Sequence, residues 1–331
     1  MRKPEPTIEL ISTGRYLPDC VVTNDDLSKK VDTSDEWIRT RTGIRERRVA
    51  PDGVNAAHMG ANAARIAMER AGVEPGEVDI IILSTATPDR WLPSTGCDAQ
   101  ALLGCTNAFA FDVMGACTGF LYSLSVAEGY LMTGRAEVVL VIAAEKMSSI
   151  VDWTDRATCV LFGDGAGATV LRKANGSGRG MLSSVMRSDG NLAELLYRPA
   201  GGAAEPLTPA VLETNRHFLQ MEGREVFKHA VRSMSEVCDA ALKRAGMTVE
   251  DIDLLVPHQA NIRIIEAMAK YAGLPREKVF VNVDRYGNMS SASVPVGLDE
   301  AQEQGLIEEG SNILTVAFGA GLTWGASVLR W

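Results

Sequence analysis

Ala63-Ala64-Arg65-Ile66-Ala67-Met68-Glu69-Arg70-Ala71-Gly72-Val73, followed by Glu77-Val78-Asp79-Ile80-Ile81, returns later in the chain. The second copy is Val237-Cys238-Asp239-Ala240-Ala241-Leu242-Lys243-Arg244-Ala245-Gly246-Met247, followed by Asp251-Ile252-Asp253-Leu254-Leu255. Gly72 maps to Gly246 and Asp79 to Asp253, both at an offset of 174. Each copy reads as an amphipathic helix, a glycine stop, a short acidic turn and a buried strand. A second echo closes each half, with Gly167-Ala168-Thr169-Val170-Leu171-Arg172 against Gly325-Ala326-Ser327-Val328-Leu329-Arg330. Here the offset is 158, so the first half carries extra residues before its last strand, expected within residues 146–159.

In Ile80-Ile81-Ile82-Leu83 and Val138-Val139-Leu140-Val141-Ile142 the apolar residues run without alternation, as in strands covered on both faces. Helices alternating with such strands predict an α/β layered fold. Two copies predict two similar halves, residues 1–175 and 176–331, with a site where they meet. The join falls at Asn175-Gly176-Ser177-Gly178, and residues 201–209 read as another exposed loop.

At 331 residues the chain exceeds what one typical core absorbs, and 46% hydrophobic with 23% charged residues is an ordinary globular composition. The first residues lack the apolar core of a signal peptide, and no apolar run reaches spanning length. A cytoplasmic location without membrane insertion is therefore expected. A net charge of −9 disfavours nucleic acid, which needs a basic surface. The cysteines, Cys20, Cys97, Cys105, Cys117, Cys159 and Cys238, contain no Cys-x-x-Cys pair, which argues against zinc and against a disulfide framework. No metal site is expected.

Three segments carry reactive side chains. Cys117 lies in Asp112-Val113-Met114-Gly115-Ala116-Cys117-Thr118-Gly119, between a predicted strand and an apolar helix. A thiol near a helix N-terminus feels the positive end of the dipole, which favours thiolate. His258 ends the run Leu254-Leu255-Val256-Pro257, at the carboxyl end of a strand, where α/β sites usually sit. Asn288 lies in Tyr286-Gly287-Asn288-Met289-Ser290-Ser291, a turn-like stretch. Taken singly, each has a bland reading: a buried structural cysteine, a satisfied histidine, a turn asparagine. Neither Phe318-Gly319-Ala320-Gly321 nor Phe162-Gly163-Asp164-Gly165-Ala166-Gly167 has dinucleotide-binding spacing, and there is no P-loop. No nucleotide cofactor is expected.

Taken together these segments closely resemble the active-site segments of the β-ketoacyl-acyl-carrier-protein synthase III family. The likeness extends to Thr33-Ser34-Asp35-Glu36-Trp37-Ile38, Thr40-Arg41-Thr42-Gly43-Ile44, Thr154-Asp155-Arg156 and residues 318–325. The resemblance implies the thiolase-type fold, a duplicated five-layer αβαβα arrangement, and a homodimer. It implies that Cys117 takes the acyl group of an acyl-coenzyme A primer, and that His258 and Asn288 stabilise the enolate of malonyl-acyl carrier protein. No cofactor is implied. The backbone N–H groups of Cys117 and Ala320 would hold the oxyanion. Thr33, Trp37, Arg41, Arg156 and Asn261 would bind coenzyme A, and Lys228, Arg263 and Lys270 would meet the acidic carrier protein. Two departures stand out. Gly319-Ala320-Gly321 replaces the frequent Gly-Gly-Gly, and Leu92 replaces a common phenylalanine in the acyl pocket. The smaller Leu92 points to a primer larger than acetyl, with Trp91 and Met114 placed to refill the space.

Relatives that join acyl groups to other acceptors in specialised metabolism remain the alternative, although they commonly alter Asn288 or the basic face. A thiolase would need a second cysteine near the C-terminus, and none follows Cys238. A cysteine hydrolase would release free acid, and a scaffold would carry an unreactive Cys117.

Overall fold

A computed structural model of the chain describes residues 4–331. Strands β1 (Ile8–Tyr16), β2 (Ile80–Ser84), β3 (Phe109–Val113), β4 (Val139–Lys146) and β5 (Asp164–Lys173) form one sheet in the order β1-β5-β4-β2-β3. Strands β6 (Gly180–Ser188), β7 (Leu254–Pro257), β8 (Asn312–Gly319) and β9 (Thr323–Arg330) form a second, ordered β7-β8-β9-β6. The second order is the first repeated, with the counterpart of β3 reduced to a single bridge between Leu255 and Val279.

The duplication holds at the level of register. Ile80 pairs with Val139 in parallel, and 174 residues on Leu254 pairs with Ile313 in parallel. In both halves the last strand runs antiparallel to its neighbours. Even the irregularity repeats: β1 skips Ile11 against β5, and β6 skips Leu182 against β9. Such bulges sharpen strand twist and are built features of a sheet.

The principal helices are α1 (Asp35–Thr42), α2 (Ala56–Ala71), α3 (Thr95–Leu103), α4 (Gly119–Met132), α5 (Gly223–Ala245), α6 (Ile262–Tyr271) and α7 (Ser293–Glu303). The predicted glycine stops are observed. Gly72 and Gly246 end α2 and α5 in the left-handed region, at φ 62° and 65°, where a side chain is costly. Asp79 and Asp253 then fix the next strand by accepting from the backbone N–H groups of Val138 and Asn312.

Helices α2 and α3 cover the outer face of the first sheet, and α5 covers that of the second with α6 packed against it. Helices α4 and α7 lie between the sheets, touching strands of both. This is the five-layer αβαβα order. All five residues of β2 are buried, as a strand covered on both faces requires. Each fully buried aliphatic side chain there contributes roughly 1.5–3 kcal/mol. The central cluster draws Ile80, Phe120 and Leu124 from the first half and Val256, Ile313 and Trp331 from the second.

The extra residues of the first half are residues 147–163, between β4 and β5, close to the expected place. They do not stay with their own half. Ile150, Cys159 and Phe162 belong to the same apolar cluster as Val226, Ile264 and Leu314. Ile38, in the middle of α1, and Ile44, just beyond its end, join that cluster too. The sheets divide by halves, but the packing around the site does not. None of the described helices is long and apolar enough to cross a membrane.

Candidate active site

Cys117 stands in a tight turn (Ala116–Thr118) that feeds directly into α4. Ala116 takes φ 44°, an uncommon conformation for a residue with a side chain. The turn that starts α7 (Ser290–Ala292) has the same form 174 residues on, with Ser290 at φ 46°. Ser291 is thus the counterpart of Cys117 in the second half. By the same offset Ser84 answers to His258, Met114 to Asn288, and Glu145 to Gly319. One side of the pseudo-twofold carries the reactive set, and the other carries none of it.

Cys117, His258, Asn288 and Ala320 all line one cavity of about 1120 Å³. The sequence places them far apart, and the pairing of the two halves brings them together. His258 follows β7 and is fixed by its N–H donating to Val316 O at 2.7 Å. Asn288 is held by residues 161–163: its N–H donates to Leu161 O at 2.8 Å, and its carbonyl accepts from Gly163 N at 3.1 Å. Its side-chain Oδ1 accepts from Ser290 N at 2.8 Å, so the remaining Nδ2 donors are left for the cavity. Thr323 Oγ1 donates to Ala320 O at 3.0 Å and accepts from Thr118 Oγ1, tying the glycine-rich turn to the nucleophile turn. Gly319 matters here because an added Cβ would lie 2.8 Å from Cys117 N.

The electrostatics correct one expectation. Burial pushes the Cys117 thiol up to about 12, a hydrogen bond from Ser290 opposes the rise, and the nearby Glu145 adds to it. The resting thiol is protonated, so desolvation outweighs the helix terminus here. Burial also drives His258 down to about 3, which keeps the ring neutral. The arrangement is a buried thiol facing a set of neutral donors.

The remaining expected residues divide. Arg41 and Asn261 line the cavity, whereas Thr33, Trp37 and Arg156 stand outside its lining. The guanidinium groups of Arg41 and Arg156 lie 4.4 and 4.8 Å from the Trp37 ring centre, so Arg156 rests directly on the indole. Arg156 also donates to Asp32 O at 2.7 Å. Thr33 Oγ1 is buried with no hydrogen-bond partner among the described residues. Asn261 has a second duty, since its side chain caps α6 by accepting from Ile264 N at 3.0 Å. Lys228 and Arg263 are exposed and line the cavity, while Lys270 is exposed on α6 away from it. Lys228 pairs with Glu225 at 2.6 Å. Met114 lines the cavity, but Leu92, 86% exposed, projects from the chain and does not line it. The loop at residues 201–209 is exposed as expected, yet Gly202–Glu205 also wall the cavity.

Several supports went unread in the sequence. Glu145 is fully buried, accepting from Ala86 N, Thr85 Oγ1 and Thr87 Oγ1 on one oxygen and from Ser291 N and Oγ on the other. Burial pushes its carboxyl upward in spite of these donors. Gln259 uses its amide on four backbone groups around His258: it donates to Pro257 O and Phe280 O and accepts from Asn282 N and Val283 N. Arg224 and Arg198 add charge to the cavity rim. Nothing local marks Glu145 or Gln259, but Glu145 could have been found by applying the 174 offset to Gly319.

The family described as 3-Oxoacyl-[acyl-carrier-protein (ACP)] synthase III matches residues 111–190, and its C-terminal part matches residues 242–331. The β-ketoacyl-[acyl-carrier-protein] synthase III of Caldanaerobacter subterraneus subsp. tengcongensis is 51% identical over 322 residues, covering 97% of each chain. The chain belongs to the β-ketoacyl-acyl-carrier-protein synthase III family. Among solved structures, the synthase III of Aquifex aeolicus superposes with a TM-score of 0.91 at 48% identity, covering 98% of this chain and all of that one. The priming β-ketosynthase of the R1128 polyketide pathway superposes at 0.90 with 36% identity, covering 100% and 98%. This chain is thus similar both to enzymes named as synthase III and to a priming ketosynthase of a polyketide pathway.

Proposed function

We propose that this synthase III family member starts fatty acid synthesis by condensing an acyl-coenzyme A primer with malonyl-acyl carrier protein. The observation that carries the reading is the convergence of Cys117, His258, Asn288 and Ala320 on one cavity. The Cys117 sulfur adds to the primer thioester, and the backbone N–H groups of Cys117 and Ala320 take the developing oxyanion. The bond to the coenzyme A sulfur breaks, and the thiol proton ends on that sulfur. Malonyl-acyl carrier protein then binds in the same cavity. His258 and Asn288 donate to its thioester oxygen while the carboxylate leaves as carbon dioxide and its electron pair becomes an enolate. The enolate carbon attacks the acyl-cysteine carbonyl, the carbon–sulfur bond to Cys117 breaks to give 3-oxoacyl-acyl carrier protein, and the released thiolate takes a proton from solvent to restore the thiol. Donors aimed at an enolate oxygen do what this chemistry needs, and no cofactor enters the scheme.

Coenzyme A docks with its adenine inserted between the Trp37 indole and the Arg156 guanidinium, with Thr33, Arg41 and Asn261 lining the tunnel. The carrier protein meets Lys228, Arg263 and Lys270, joined by Arg224. The chain works as a homodimer in the cytoplasm. Supporting the dimer, β3 is an edge strand, and Phe109, Trp91, Leu92 and Met114 are at least half exposed around it. Leu92 then reaches the partner's acyl pocket, and Met114 shapes its own.

The test is intact-protein mass spectrometry after incubation with acetyl-, isobutyryl- and longer acyl-coenzyme A, chased with malonyl-acyl carrier protein. An adduct absent from Cys117→Ala and discharged as a 3-oxoacyl product is expected. An adduct indifferent to the malonyl chase would sink the reading in favour of an acyltransferase with another acceptor.

A further inference from the structure

The two mirrored turns each place a residue with a side chain at positive φ, Ala116 before Cys117 and Ser290 before Ser291. Such a conformation persists only where its surroundings hold it. The Ser290 turn also aims a side chain. Ser290 N donates to Asn288 Oδ1 at 2.8 Å, and that bond turns the Asn288 Nδ2 group to the cavity. A change of backbone at Ser290 would break it and release the amide. The residue that meets this turn is Glu145, which is fully buried. Its Oε1 accepts from Ser291 N at 3.3 Å and from Ser291 Oγ at 2.7 Å. Its Oε2 is anchored on another loop, accepting from Ala86 N and Thr87 Oγ1, both at 2.9 Å.

We infer that Glu145 is a positioning residue for the malonyl half-reaction: it clamps Ser291 to the 85–87 loop, holding the Ser290 turn and through it the Asn288 amide. The inference deepens the condensing reading and rests on it for what Asn288 meets, a malonyl thioester oxygen. The pseudo-twofold supports it independently. Glu145 answers to Gly319, and Ser291 to Cys117, at the offset of 174. Gly319 carries no side chain and leaves room beside the Cys117 N–H, where the oxygen of a reacting thioester would stand for a moment. In the second half a carboxyl oxygen stands at the equivalent N–H permanently. One turn is thus completed by substrate and the other by Glu145. Cys117 N and Ala320 N, the proposed donors for acylation, lie outside this clamp.

The test compares Glu145→Gln, Ser291→Ala and Thr87→Val with the wild type. Each is acylated at Cys117, then chased with malonyl-acyl carrier protein in a single turnover, and crystal structures are determined for the first two. In Glu145→Gln one N–H must face an amide NH₂, so malonyl decarboxylation should slow about tenfold. Cys117 acylation should change by less than about threefold, with KM for acyl-coenzyme A unmoved. Ser291→Ala should slow the same malonyl step by a smaller factor. Thr87→Val cuts a bond on the far oxygen, so it should lower the urea midpoint and leave the ratio of the two rates unchanged. In the Glu145→Gln structure Ser290 N and Asn288 Oδ1 should separate beyond about 3.5 Å. An unmoved turn, equal slowing of both half-reactions, or a rate ratio shifted as much by Thr87→Val as by Ser291→Ala overturns the inference. Should Glu145→Gln fail to fold, Ser291→Ala against Thr87→Val decides it by the same readings. A wild type that ignores malonyl-acyl carrier protein would fault the proposed reaction, and the turn in the crystal structures would still decide the clamp.

Discussion

At Cys117 two local effects oppose each other. The turn into α4 favours thiolate, and full burial favours thiol; burial wins, with the thiol at about 12. Reactivity must therefore appear only with a bound thioester. At pH 8, general alkylation of Cys117 should be slower than that of exposed Cys20, while acyl-coenzyme A modifies Cys117 alone; peptide mapping checks both. Gly319 leaves room beside the Cys117 N–H, the proposed oxyanion donor. A methyl group there would meet Cys117 N at 2.8 Å and Cys117 Cβ at 3.1 Å. Gly319→Ala should cut the rate of acyl-enzyme formation by about 10²-fold or more and lower the melting temperature as well, because the backbone at Cys117 must shift to admit the methyl group. His258→Ala should separate the half-reactions, abolishing decarboxylation of malonyl-acyl carrier protein and leaving the Cys117 adduct in the mass spectrum.

Elements place these residues, and the sequence disclosed elements unevenly. The β2 and β7 strands, the glycine stops and the offset of 174 were legible, because continuous apolar runs and left-handed caps are local signals. Cys117, His258 and Asn288 were legible through their motifs. The supports were not. Glu145 reads as the end of a strand, and only the fold reveals that each of its oxygens takes a backbone N–H, from Ala86 and from Ser291. For that reason Glu145→Gln should destabilise the enzyme by about 2 kcal/mol, read as a lower urea midpoint. Either amide orientation sets an NH₂ against an N–H that has no other partner. The crossing of residues 147–163 into the opposite half was equally hidden, since apolar content does not say which core it joins. Arg156, carried on that segment, should affect coenzyme A alone. Arg156→Ala should raise KM for acyl-coenzyme A about tenfold and leave acyl-pantetheine unchanged.

For the whole molecule, the central cluster joins both halves, so unfolding should be one transition by fluorescence and by circular dichroism alike. Its pH dependence follows from the buried groups. His258 has an ordinary value of 6.5 and about 3 when folded. Below pH 6.5 the unfolded chain binds a proton that the native ring refuses, so stability falls as pH drops towards 3. Cys117 acts at the other end. Its value rises from 9 to about 12, so stability present below pH 9 is lost as pH climbs through that window. Urea titrations across pH should show His258→Gln flattening the acid limb and Cys117→Ala flattening the alkaline one.

The mirrored positions of the two halves have a consequence for how the enzyme can change. Asn288, the proposed donor to the enolate, and Met114, its counterpart at the offset of 174, both line the cavity. One is constrained by chemistry and the other only by the shape of what it touches. Drift in primer preference can therefore accumulate at Met114 without eroding the decarboxylation machinery. Duplication has left the scaffold with one address that selection must hold still and an equivalent address that it is free to tune.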